Sequence, residues 1–270
     1  MNSGIEVAKL RSVGALYIAE HRLRSMWKWR GIITAVAIGN PLFYLISIGV
    51  GVGVLVSKNS GTSGTGGVEY LVFLAPALLA TTSITGAMDE VLFPTIDGFK
   101  WRKTFFAMNA TPISGAQIAL GVFLAAMVRV TYTVLLYWIL LIAFGVMTIA
   151  ASWQVIPLMI FAGGAFGAFM LGITAGVKND DYFFSVLGRL VIAPLFLFSG
   201  TFFPLTSMPI FLQPIGWISP LWHATELGRH FSYGQPISST LILIHFGYLI
   251  ALTAIGFQLS YKRFTARLLT

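Results

Sequence analysis

AQIALGVFLAAMVRVTYTVLLYWILLIAFGV, residues 116–146, carries a single charge, Arg129, in an otherwise apolar and aromatic run. At about 1.5 Å of rise per residue the run exceeds the ~30 Å hydrocarbon core of a bilayer, so it reads as a spanning helix that tilts or projects. Similar runs lie on both sides of it, at about 31–56, 69–91, 155–177, 183–203 and 237–260. The expectation is an all-α integral membrane protein with six transmembrane helices. Composition agrees: 57% of the 270 residues are hydrophobic and 10% charged, against roughly 25% charged in a soluble domain. Mean hydropathy is +0.84.

The net charge of +8 does not describe a nucleic-acid binder, because the basic residues sit in the gaps between apolar runs. There they set orientation. Six Lys or Arg precede the first span, three separate the second from the third, Lys178 separates the fourth from the fifth, and three follow the sixth. The opposite side has only Lys58 and Arg229, giving thirteen against two. Both termini are therefore expected in the cytoplasm, with the protein multi-pass in the cell membrane. The chain has no Cys, which excludes disulfides, a thiol nucleophile and cysteine metal ligands. No cleavable signal peptide is expected, since residues 1–30 are rich in Lys and Arg and hold no apolar core.

Residues 5–29 place Leu10, Val13, Tyr17, Leu23, Met26 and Trp27 at near-helical spacing among basic residues. That pattern predicts an interfacial helix, here assigned to 1–30, ahead of a transmembrane domain over 31–270. Asn40-Pro41 should kink the first span, because proline removes a ladder hydrogen bond. The Gly/Ser stretch 57–67 reads as a loop. The fourth span is Gly-rich, which lets helices approach closely. Two segments fit no simple span. Residues 94–115 are polar and basic, and residues 204–235 are apolar but broken by Pro204, Pro209, Pro214 and Pro220. Broken backbone at membrane depth must be buried in protein or line a cavity, so short helices dipping into one leaflet are expected there.

These segments carry a resemblance. The stretches YLVFLAPALLA (70–80), FKWRKTFFAMNATPIS (99–114), LFLFSGTFFPLTSMP (195–209) and ISPLWHATELGR (218–229) appear in order along nearly the whole chain. The chain resembles the membrane subunit of a type-2 ABC exporter, and within that family the permeases of nodulation-factor lipooligosaccharide and daunorubicin-type drug exporters. The resemblance implies two six-helix subunits, identical or related, with two cytoplasmic ABC ATPase subunits. It also implies an N-terminal interfacial helix, a coupling segment at 94–115 and re-entrant helices at 204–235. No G-x-x-x-x-G-K-[ST] pattern occurs in the sequence. ATP and Mg are therefore expected on the partner ATPase, with no cofactor or metal on this chain.

In the coupling segment, Phe99, Lys100, Trp101, Arg102, Phe105 and Phe106 combine aromatics with cations, the residue types that anchor interfaces. The resemblance makes them ATPase-facing; read alone they also suit a juxtamembrane belt at the headgroups. Arg129 lies inside an apolar run, where an arginine costs about 2.5–3.5 kcal/mol on insertion scales. It calls for a carboxylate, with Glu90 and its neighbour Asp89 nearest in topology, unless it contacts substrate. His245 stands alone in the sixth span, and His223 with Glu226 makes too few ligands for a metal site. Glu226 and Arg229 form a helix pair by spacing. Phe202, Phe203, Pro204, Trp217 and Glu226 are assigned to the re-entrant segment and a transport path, although the aromatics suit packing or lipid contact equally.

The resulting expectation is an exporter subunit moving an amphipathic lipid-linked, glycolipid or drug-like molecule outward, with membrane lipids around it and no nucleic acid. A membrane enzyme acting on lipids would need clustered acids, bases or ligands, whereas the nine Asp and Glu are scattered. A channel or secondary transporter would more often show broken helices in both halves.

Overall fold

The computed structural model describes residues 2–53, 65, 67–178 and 182–269. Most of the Gly/Ser stretch, residues 57–64 and 66, and residues 179–181 of the expected polar turn lie outside the described residues. No strand occurs among the described residues, and the fold is all-helical. Helix α1 covers Asn2–Lys28 and α2 covers Arg30–Tyr44. Then come α3 (Tyr70–Val91), α4 (Thr104–Asn109), α5 (Gly115–Ala143), α6 (Val155–Ala175) and α7 (Phe183–Phe198). The chain closes with α8 (Gln213–Ile218), α9 (Pro220–Tyr233) and α10 (Ser239–Leu268).

Five helical stretches among the described residues are long and apolar enough to cross a membrane: Arg30–Ile48, Tyr70–Trp101, Gly115–Ala143, Ile149–Ala175 and Ser239–Leu268. The remaining apolar helix, α7, is shorter and spans about 24 Å at 1.5 Å per residue. The expected fifth span to 203 ends at Phe198 because the chain turns at Gly200, whose φ of +69° is one that L side chains rarely adopt. The Ser199 hydroxyl fastens the turn to the Ser219 hydroxyl at 2.5 Å. In α2, Pro41 lies inside the helix, which widens into a π-helical segment over Leu45–Val52.

Helix α6 is the hub, packed against α3, α5, α9 and α10. Lipid tails are as apolar as leucine, so such packing rests on close van der Waals fit rather than on expulsion of water. A Cβ at Gly163 would overlap the Ser83 hydroxyl, which instead donates to the Met159 carbonyl. The N-terminal helix α1 lies along α5 through Ala15, Ile18 and Ala19, and Gln117 Nε2 donates to the Arg11 carbonyl at 2.9 Å. Leu16, Tyr17 and Trp27 of α1 remain exposed. Helix α2 is only sparsely covered, with Ile32, Val36 and Phe43 exposed.

Candidate functional site

The charged pairs gather where α1, α3 and α5 meet. Gly86 of α3 lets α5 come close: a Cβ there would lie 2.8 Å from the Thr133 hydroxyl. One turn along both helices, Arg129 Nη2 donates to Asp89 Oδ2 at 2.6 Å, and its Nη1 stands 3.8 Å from Glu90 Oε2. Glu90 is 2% exposed and is held by Arg22 of α1, whose Nε donates to Oε1 at 3.1 Å and whose Nη2 also reaches that oxygen. The expected contact of Arg129 with Glu90 is present at 3.8 Å, beside a closer one. The short hydrogen bond goes to Asp89, because Arg22 already occupies Glu90. A buried carboxylate needs such partners, since removing one leaves an uncompensated charge. His21, beside Arg22, titrates below its ordinary value, first through partial burial and then through Arg22 and Arg102.

Two cavities meet at this cluster. One, of about 560 Å³, is a charged cleft lined by Arg22, Glu90, Asp97, Arg102 and Trp101. The other, of about 460 Å³, lies between α2, α3, α5 and α7. Its lining sets Asn40, Thr81, Thr85 and Tyr137 against Phe166 and Phe196. The threonines donate to carbonyls four residues back in α3, so toward the cavity they act as acceptors. The buried Tyr137 hydroxyl has no partner among the described residues. Ile33, Asp89 and Arg129 line both spaces.

The segment 94–115 is divided by its own backbone. A π-helical turn, Asp97–Trp101, ends at Arg102, and Lys103 takes a left-handed φ of 54° before α4 begins. That break sends the aromatics different ways. Phe99 and Phe105 are 3% and 1% exposed and pack on Phe264 of α10, with ring centroids 4.9 and 5.5 Å away. The Arg267 guanidinium covers Phe99 at 4.3 Å. Both rings therefore belong to the chain's own core rather than to a surface that a partner could grip. Trp101 and Phe106 are exposed, Arg102 pairs with Asp97, and Lys100 is half-buried.

At the other end of the bundle, Arg229 of α9 is 0% exposed. It donates to Glu226 at 3.0 Å, to the Gly200 carbonyl at 2.8 Å and to the Phe73 and Thr201 carbonyls at 3.3 Å. Glu226 also accepts from Gln235 at 2.9 Å, so its oxygens are engaged within the chain. Phe202 is half-buried against Phe196, and its carbonyl accepts from Tyr70. Pro204 is half-buried, while Phe203 and Trp217 are exposed. His245 is not isolated: its Nδ1 lies 2.7 Å from His223 Nδ1, and His223 Nε2 lies 3.0 Å from the Trp217 carbonyl. That carbonyl can only accept, so neutral His223 carries its proton on Nε2 and His245 donates from Nδ1.

Sequence reasoning overlooked the Arg22–Glu90 pair and the burial of Arg229. Both arginines already had an explanation as orienting charges or as half of a local pair, and no local pattern signals contacts over such separations.

Apolar helices thus surround a cavity that has an ion-paired cleft at one end. Residues 15–233 match the family described as ABC-2 type transporter, and the chain belongs to that family. It is similar to Nodulation protein J of Rhizobium leguminosarum bv. viciae, at 29% identity over 266 residues, covering 97% of this chain and 99% of that protein. It is also similar to Nodulation protein J of Rhizobium meliloti (strain 1021), at 27% identity over 266 residues, covering 97% and 98%.

Proposed function

We propose that the chain forms the transmembrane path of an ATP-driven exporter that moves an amphipathic lipid-linked, glycolipid or drug-like molecule outward. The observation that carries this reading is the cavity between α2, α3, α5 and α7, with hydroxyl and amide groups facing aromatic and aliphatic walls. Such a lining offers hydrogen bonds to a polar head group and apolar surface to a chain. On the charge asymmetry of the sequence, the ion-paired end faces the cytoplasm, together with both termini.

Two ATPase subunits engage that face and supply ATP hydrolysis with Mg. The exposed Trp101 and Phe106 are the anchors that suit such an interface, with Arg102 beside them. A second permease, identical or related, covers the sparsely packed side of α2 and α7. The test is purification of the permease with its ATPase, followed by transport in proteoliposomes. Transport should require ATP and a hydrolysis-competent ATPase. Movement of substrate down its gradient without ATP would favour a channel instead.

A further inference from the structure

We infer that the Arg129–Asp89 pair is a closable partition between the charged cleft and the membrane-level cavity. Among the described residues the two spaces share only Ile33, Asp89 and Arg129. The pair therefore stands where the two linings meet, in contact with anything polar that passes directly from one to the other.

Three features make the pair movable. Asp89 is 52% exposed in its side chain, whereas Glu90 is 3% exposed, so the adjacent carboxylates offer Arg129 one exposed and one buried partner. Arg129 makes its short contact through Nη2; its Nε is buried without a partner among the described residues, and Nη1 is 3.8 Å from Glu90. A guanidinium has five donors in a fixed fork, so this one is under-used where it sits and has a second carboxylate within a small swing. Finally, Arg22 of α1 holds Glu90. Drawing α1 away frees Glu90 to take Arg129 from Asp89, which opens the junction while the buried carboxylate stays paired and the half-exposed Asp89 is released. Glu90 and Arg22 are positioning residues in this scheme, and the moving contact is Arg129 with Asp89.

The cleft selects by more than charge. Arg22, Arg102 and Arg129 face Asp89, Glu90 and Asp97, which balances to zero. The threonine and tyrosine hydroxyls beyond the junction then favour a neutral, hydroxyl-bearing head group over a strongly anionic one. This part rests on the exporter reading; the partition itself does not.

The chain has no native Cys, so single cysteines report access directly. Thr85→Cys lies on the cavity side and Ser25→Cys in the cleft. In inside-out vesicles, a charged methanethiosulfonate should label Ser25→Cys quickly and Thr85→Cys slowly. Asp89→Asn should speed the Thr85→Cys reaction by at least about tenfold, the shift in open population equivalent to ~1.4 kcal/mol, and leave Ser25→Cys unchanged. The reversed pair, Asp89→Arg with Arg129→Asp, should restore slow labelling. If Asp89→Asn does not insert, Arg129→Lys keeps the charge but shortens the fork, and should give an intermediate rate. Equal rates at both sites in the unaltered pair, or a Thr85→Cys rate indifferent to all three changes, would overturn the partition. These rates need neither substrate nor ATPase. A failed partition therefore leaves the exporter reading standing, while an intact partition without ATP-driven transport removes that reading alone.

Discussion

The Arg229 guanidinium lies 3.6 Å from the centroid of the Phe73 ring, fully buried, and joins α3, the turn at Gly200 and α9 in one contact. The broken backbone after α7 has few ladder bonds of its own, and this arginine satisfies three of the surrounding carbonyls. Arg229→Ala should therefore cost about 3–5 kcal/mol, because it strands Glu226 and those carbonyls together. Arg229→Lys should recover little, since an ammonium lacks the planar fork. Thermal unfolding in detergent followed by size exclusion measures both; near-wild-type midpoints would contradict this role.

Phe105 and Trp101 should separate cleanly despite lying four residues apart. Phe105→Ala removes a buried ring from the contact with Phe264 and should destabilise the chain by about 3–5 kcal/mol. Trp101→Ala is a surface change and should alter stability by only ~0.5 kcal/mol, while lowering ATPase recovery on purification. A reversed order of effects in the same unfolding and co-purification assays would overturn the account of this segment.

Much of the fold was legible because a spanning helix is a local signal: about 20 apolar residues in a row, with charges in the gaps. The shortened α7 was not, since one glycine at positive φ ended the run where hydropathy continued to Phe203. The site was less legible. Arg129 carried the reason for an ion pair in its own position, as a charge in an apolar run, but not the competition that gave Glu90 to Arg22. The inward turn of Phe99 and Phe105 depends on the left-handed Lys103, which no periodicity reveals. His223 and His245 come from helices whose packing only tertiary structure sets.

The histidines should behave as one unit. His223→Ala leaves the His245 Nδ1 donor without its acceptor, and the second change removes the same bond rather than another. A double-mutant cycle with His245→Ala should give a coupling of about 0.5–3 kcal/mol. Additive losses would mean that the 2.7 Å contact carries no shared energy.

Orientation has its own test. Ser239→Cys, at the start of α10, should react with an impermeant thiol reagent in intact cells, and Leu269→Cys, 79% exposed at the opposite end, should react only after permeabilisation. Labelling of the second position in intact cells would invert the topology.

The central claim is ATP-driven outward movement through this chain. The most direct measurement is the protection of a fluorescent, neutral glycolipid from an external quencher in proteoliposomes whose ATPase sites face the medium. The account predicts that ATP increases the protected, lumenal fraction, that a hydrolysis-deficient ATPase abolishes the increase, and that Trp101→Ala reduces it in proportion to the ATPase lost. No ATP-dependent protection of this or any other amphipathic probe, with ATPase bound at the wild-type ratio, would contradict it.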